Sequence, residues 1–142
     1  MNSIDKSLEV AYQTTSYKFT SKGRTATIRI GQVCVELEDL CHEHAVTSWA
    51  VITAYNPFSR PLPASANQHR QQLLQSLLSI AKFEFFEGEG IGESGDWPPE
   101  PSFLVLGIDQ EKALAYGTVF DQNAIVYGNS GSVAQLLFCA SR

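Results

Sequence analysis

Asn67 and Arg70, three residues apart in one predicted helix, are the side chains best placed for chemistry in this sequence. Ser65 is a plausible cap for the helix, whose inward stripe runs from Ala66 through Arg70, Leu73, Leu74, Leu77 and Leu78 to Ala81. Arg70 falls on that stripe, so its stem points inward. It also lies early in the helix, where the dipole favours anions and disfavours cations. A cation there implies a compensating negative group. The candidates are a carboxylate from Glu87, Glu89 or Glu100, a bound anion, or water at a partly open helix end. Arg60 reaches in from the preceding loop. Two guanidiniums and an amide near a helix N-terminus suit a phosphate or carboxylate. The competing reading is an Arg70–glutamate salt bridge that pins a long loop.

The elements that position these residues follow from the pattern around them. Residues 47–55 form an apolar strand rich in Val, Ile, Thr and aromatics, which breaks at Asn56-Pro57. After the helix come a strand over 82–87, a long loop over 88–101, a strand over 102–108, a helix over 109–120 capped by Asp109, and a strand over 123–127. Strand, helix, strand, strand, helix, strand is a ferredoxin-like β-α-β-β-α-β order in an α+β fold with an antiparallel sheet. Upstream, Asp5 caps a short helix carrying Leu8 and Tyr12. A hairpin turning at Lys22-Gly23 and a helix over 34–44 follow it, and a last strand over 133–138 completes the chain. The whole reads as one domain over 1–142 with its core at about 47–128.

In that topology, distant segments meet at one end of the sheet. The predicted binding set there is Asn56, Ser59, Arg60, Asn67, Arg70, Glu89, Trp97, Glu100 and Asn123. The arginines supply charge, the asparagines orientation and Trp97 a cover. No catalytic residue is assigned; for an enzyme, Glu87, Glu89 or Glu100 would be the acid or base. The alternative function is a non-catalytic protein–protein interaction module, with the same residues only holding the loop.

Other constellations are weaker. Gly88-Glu89-Gly90-Ile91-Gly92 follows a strand, but no helix opens behind it, which argues against a dinucleotide turn. The acidic run from Glu87 to Glu100 has no metal-ligand spacing. Cys41 and His44 lack further ligands for zinc, so the expectation is no metal and no cofactor. A net charge of -5 argues against nucleic acid and anionic membranes as partners. Apolar runs are too short for a membrane span. Three cysteines without framework spacing, and no export signal, point to the cytoplasm.

Several ordered blocks also resemble a known family. They are Ser48-Trp49-Ala50, Ile52 through Pro57, Ser59-Arg60, Asn67 with Arg70, Gly88-x-Gly90, Trp97, Glu100 through Phe103, and Gln122-Asn123-Ala124. Together they resemble the bacterial domain-of-unknown-function family 3293, from about Ala11 to Leu137. The resemblance implies a small bacterial protein and brings no activity with it.

Overall fold

Trp49 to Ile52 leaves no polar face, so a strand made of these residues must be covered on both sides. A computed structural model, which describes residues 6–93 and 98–139, places that strand inside a seven-stranded sheet. The elements in chain order are α1 (Lys6–Gln13), β1 (Ser16–Ser21), β2 (Arg24–Ile28), α2 (Val35–Glu43), β3 (Ser48–Ile52), a 3-10 turn (Pro57–Ser59), α3 (Ala64–Ile80), β4 (Glu84–Ile91), β5 (Glu100–Leu106), α4 (Gln110–Val119), β6 (Ala124–Asn129) and β7 (Gln135–Phe138). The strand order is β2-β1-β4-β5-β3-β6-β7, and every neighbouring pair is antiparallel. The sheet curls until its edges touch, at an isolated parallel bridge between Ile30 and Ala134. Gly31 N–H donates to the Ala134 carbonyl at 2.8 Å there.

Alternation along β3 divides the core. Ala50, Ile52 and Ala54 face α3 and α4, packing with Leu74, Leu78, Phe103, Ala113 and Phe120. Trp49 and Val51 face the inside of the curl. There α2 fills one half, with Leu37, Leu40 and Cys41 against Phe19, Ile28 and Leu106. The Cys41 thiol is buried and pushed up to about 11, chiefly by desolvation. His44 meets the Phe86 ring edge-on at 5.8 Å. Asp109 caps α4, accepting from Lys112 N–H at 2.8 Å. Among the described residues, no helix is long and apolar enough to cross a membrane.

Two boundaries need correction. The residue capping α3 is Pro63 rather than Ser65, which lies in the first turn. More importantly, the loop expected over 88–101 is shorter, because β4 runs on to Ile91 and β5 begins at Glu100. The extension is held by β1, whose residues Ser16 to Phe19 pair with Gly88 to Ile91. The glycines there are packing sites. A Cβ at Gly88 would lie 2.2 Å from both the Lys18 carbonyl oxygen and a Phe19 ring carbon. Gly88→Ala is therefore expected to cost about 2 kcal/mol through overpacking. Thermal unfolding checks this, and an unchanged Tm would count against the packing. Asp5, expected to cap α1, lies outside the described residues.

Candidate functional site

Beyond Ile52 the sheet ladder stops, yet the chain stays fixed through Asn56, because side chains take over from strands. Gln71 accepts the Ala54 N–H at 2.8 Å. Arg70 donates Nε to the Ala54 carbonyl at 2.8 Å. Thr53 Oγ1 accepts the Tyr55 N–H at 3.1 Å, and Gln122 Nε2 donates to the Tyr55 carbonyl at 3.0 Å. Asn67 Oδ1 accepts the Asn56 N–H at 2.8 Å. The first turns of α3 thus do the work of a neighbouring strand. Asn67 is only 4% exposed and Gln71 8%, so these amides are core groups that must be paired.

Among the described residues, the negative groups that Arg70 meets are backbone carbonyls, the first of them that of Ala54. A second guanidinium nitrogen, Nη2, donates to the Phe120 carbonyl, which caps the C-terminus of α4. The guanidinium also lies 5.9 Å above the Phe120 ring. An arginine awkward for its own helix is thus well placed for the negative end of another.

This scaffold holds a strained turn. Asn56, Phe58 and Ser59 all have left-handed backbone angles, with φ of 47°, 53° and 60°. Each non-glycine residue in that region costs on the order of 1 kcal/mol or more, so the surroundings must impose the shape. They do. Asn56 Oδ1 accepts from Asn67 Nδ2 at 2.7 Å and from Leu62 N–H at 3.1 Å. Phe58 N–H donates to the Asp121 carbonyl at 2.6 Å. Asn56 Nδ2 donates to Glu100 Oε2 at 3.1 Å, and Asn123 Nδ2 to Ser59 Oγ at 3.1 Å.

The turn borders a cavity of about 610 Å³ in the half of the curl that α2 leaves open. Leu8, Ala11 and Tyr12 of α1 roof it, and Val51, Ser102, Val126 and Leu136 of the sheet form its walls. Asn56, Ser59, Glu100 and Gln122 line it on the side of the turn. The helix α1 buries no residue fully. Burial raises the Tyr12 phenol above its ordinary value and the charge of Glu100 adds to this, while the neighbouring side chains of Ser59 and Asn123 favour ionisation. Tyr12→Phe is expected to lose about 1 kcal/mol of stability. Urea unfolding reads this, and a variant as stable as the parent would remove Tyr12 from the latch between α1 and the turn.

Of the predicted residues, Asn56, Asn67 and Glu100 meet through the bonds above and Ser59 meets Asn123, while Arg70 bonds to the backbone carbonyls of Ala54 and Phe120. Arg60 is exposed just after the 3-10 turn, and Glu89 is exposed on β4 opposite Lys18 and Pro101. Neither these two residues nor Arg70 lines the cavity. Trp97 lies outside the described residues. Sequence reasoning missed Tyr12, Thr53, Gln71 and Gln122 as parts of the site. Gln71 carried a signal, a polar residue one helical turn after Asn67 on the inward face. Among the described residues, no group of three or more His, Cys, Asp and Glu is placed to hold a metal ion.

Comparison with known proteins bears on this same region. No curated protein and no solved structure matches the chain. The family profile described as "Protein of unknown function (DUF3293)" matches residues 52–125, a span that opens at the end of β3 and closes just inside β6. That span holds Asn56, the strained turn, Asn67, Arg70, Gln71, Glu100 and Gln122, and the chain belongs to the DUF3293 family.

Proposed function

We propose that this chain is a small-molecule-binding domain whose ligand occupies the cavity between α1 and the inside of the curled sheet. The observation that carries the reading is the cavity's construction. A network of buried amides holds a strained turn at its edge, and strain of that kind persists where the surroundings over-determine it, often at ligand sites. The ligand expected from sequence was an anion against Arg60 and Arg70. The cavity supports a ligand at the same end of the sheet, but with Asn56, Ser59 and Glu100 rather than the arginines in its lining. We also read the inner strands β4-β5-β3-β6, with α3 and α4 on one face, as a ferredoxin-like core. Three free cysteines support a reducing, cytoplasmic setting.

The test is a fragment screen by saturation-transfer NMR on the full chain, repeated on Leu136→Trp. Leu136 is half-buried on the cavity wall and takes no part in the amide network, so a larger side chain there is expected to fill the space. Fragments that bind the parent are expected to lose at least about tenfold in affinity on the variant, equivalent to roughly 1.4 kcal/mol. Equal binding to both proteins, or a protein partner captured by the turn with no fragment bound, contradicts the proposal.

A further inference from the structure

We propose that two copies of this chain pair through the outer face of α3, where Leu73, Leu77 and Ile80 form an apolar stripe.

The helix has an apolar line on each of two faces. Leu74 and Leu78, with Asn67 and Gln71, are buried against the sheet. Leu73 is 51% exposed and Ile80 77%, two turns apart on one line, and half-buried Leu77 lies between them. Single exposed apolar residues are ordinary, but a row of them on one helix makes a patch. The residues beside the stripe are uncharged as well. The chain has 10 Lys and Arg and 15 Asp and Glu, yet the 17 residues of α3 include no lysine, aspartate or glutamate. Its one arginine, Arg70, donates to the carbonyls of Ala54 and Phe120. Gln72, Gln75, Ser76 and Ser79 make up the rest of the exposed surface around the stripe. A solvated helix face ordinarily carries charge, and depletion of lysine, aspartate and glutamate marks the centre of protein interfaces.

Charge also selects the occupant. Two copies with a net charge of -5 repel each other in most orientations. The α3 face adds nothing to that repulsion, because it meets an equally uncharged face. A strongly charged partner finds no counter-charge there. Geometry agrees. A twofold axis passing between Ser76 and Leu77 sets the two helices antiparallel and brings Leu73 of each copy against Ile80 of the other. It also places the negative end of each helix dipole beside the positive end of its neighbour. Ser76 is small, so the two helices can approach closely at the crossing. A pair of helices about 25 Å long buries little area beside an obligate dimer, so the copies separate on dilution. The pairing leaves the cavity free, since α3 packs on the outer face of the sheet and the cavity lies inside the curl.

The experiment is sedimentation equilibrium on the full chain. Between about 10 μM and about 1 mM, the mean mass is expected to rise from near 15.6 kDa toward twice that value. Rising sodium chloride strengthens the pairing, because it screens the repulsion between two acidic copies. Leu73→Glu and Ile80→Glu each weaken it at least about tenfold. Val35→Glu adds the same charge at an exposed site on α2, inside the curl, and leaves it unchanged. A chain that stays monomeric over the whole range overturns the proposal, as does a dimer that survives both α3 substitutions. So does a monomer in which Ile80→Glu lowers the Tm, which would assign the stripe to packing within one copy. A monomer that is held through α3 only by a different protein also overturns it.

Discussion

Replacing Asn67 by alanine is expected to lower the free energy of unfolding by about 3 kcal/mol, the largest single effect in the amide network. The side chain is buried and makes three bonds. It accepts the Asn56 N–H at 2.8 Å, and it donates to Asn56 Oδ1 at 2.7 Å and to the Leu62 carbonyl at 3.3 Å. Truncation leaves those partners facing a small void at the head of α3. It also frees the turn that Asn56 begins, where backbone strain favours relaxation. For a domain of this length the loss corresponds to roughly 10 °C in Tm. Asn67→Asp separates the roles, because it keeps the acceptor for the Asn56 N–H and removes both donors. It is expected to fall between alanine and the parent. Urea unfolding of the three proteins checks the order, and an alanine variant within about 0.5 kcal/mol of the parent would show that water replaces the amide easily.

Arg70→Ala comes next, with an expected loss of about 2–3 kcal/mol. The guanidinium joins the end of β3 to the end of α4 through the carbonyls of Ala54 and Phe120. Both residues are buried, so water cannot fully replace the lost donors. Arg70→Lys keeps the charge beside the α4 terminus, but a single ammonium cannot reproduce the fork that reaches two carbonyls. It is expected to recover only part of the loss. The effect appears without any added ligand. Adding phosphate should stabilise the parent and Arg70→Ala alike, since the arginine is engaged with backbone. A phosphate stabilisation that disappears in Arg70→Ala would restore the anion reading of this residue.

Arg70 shows how far the sequence reaches. Its inward stem and its unfavourable helix end were legible from spacing alone. Its partners were not, because backbone carbonyls leave no mark in a sequence and those used here belong to β3 and α4. The convergence of Asn56, Asn67 and Glu100 was legible because it follows from the order and direction of elements. The pattern of strands and helices was also readable, since β3 lacks a polar face and α3 has an apolar stripe, but Leu73 and Ala81, expected on its inward face, are exposed, and the buried line runs through Asn67, Gln71, Leu74 and Leu78. Gly88 and Gly90 were misread as loop. Their partner strand β1 lies far back in the chain, and glycines that make room for Phe19 and Tyr17 look like glycines that make a turn. The cavity itself was beyond reach. It depends on the curl that joins Ile30 to Ala134 and on where α1 settles against it, and neither has a local signature.

The glutamines illustrate the same limit. Gln71 and Gln122 are 8% and 7% exposed, yet as letters they are ordinary surface residues. Burial became intelligible only once β3 was seen to end at Ile52 while its chain continued inside. The polar side chains there supply backbone partners that a sheet would otherwise provide.

The most direct test of the account is a crystal structure of the full chain grown with a fragment recovered from the NMR screen. Ligand density is expected between α1 and the inner face of the sheet, touching Val51, Ser102 and Leu136, with its polar end toward Asn56 and Ser59. Density beside Arg60, or on the exposed Leu73 and Ile80 of α3, with the cavity holding only water, would contradict it.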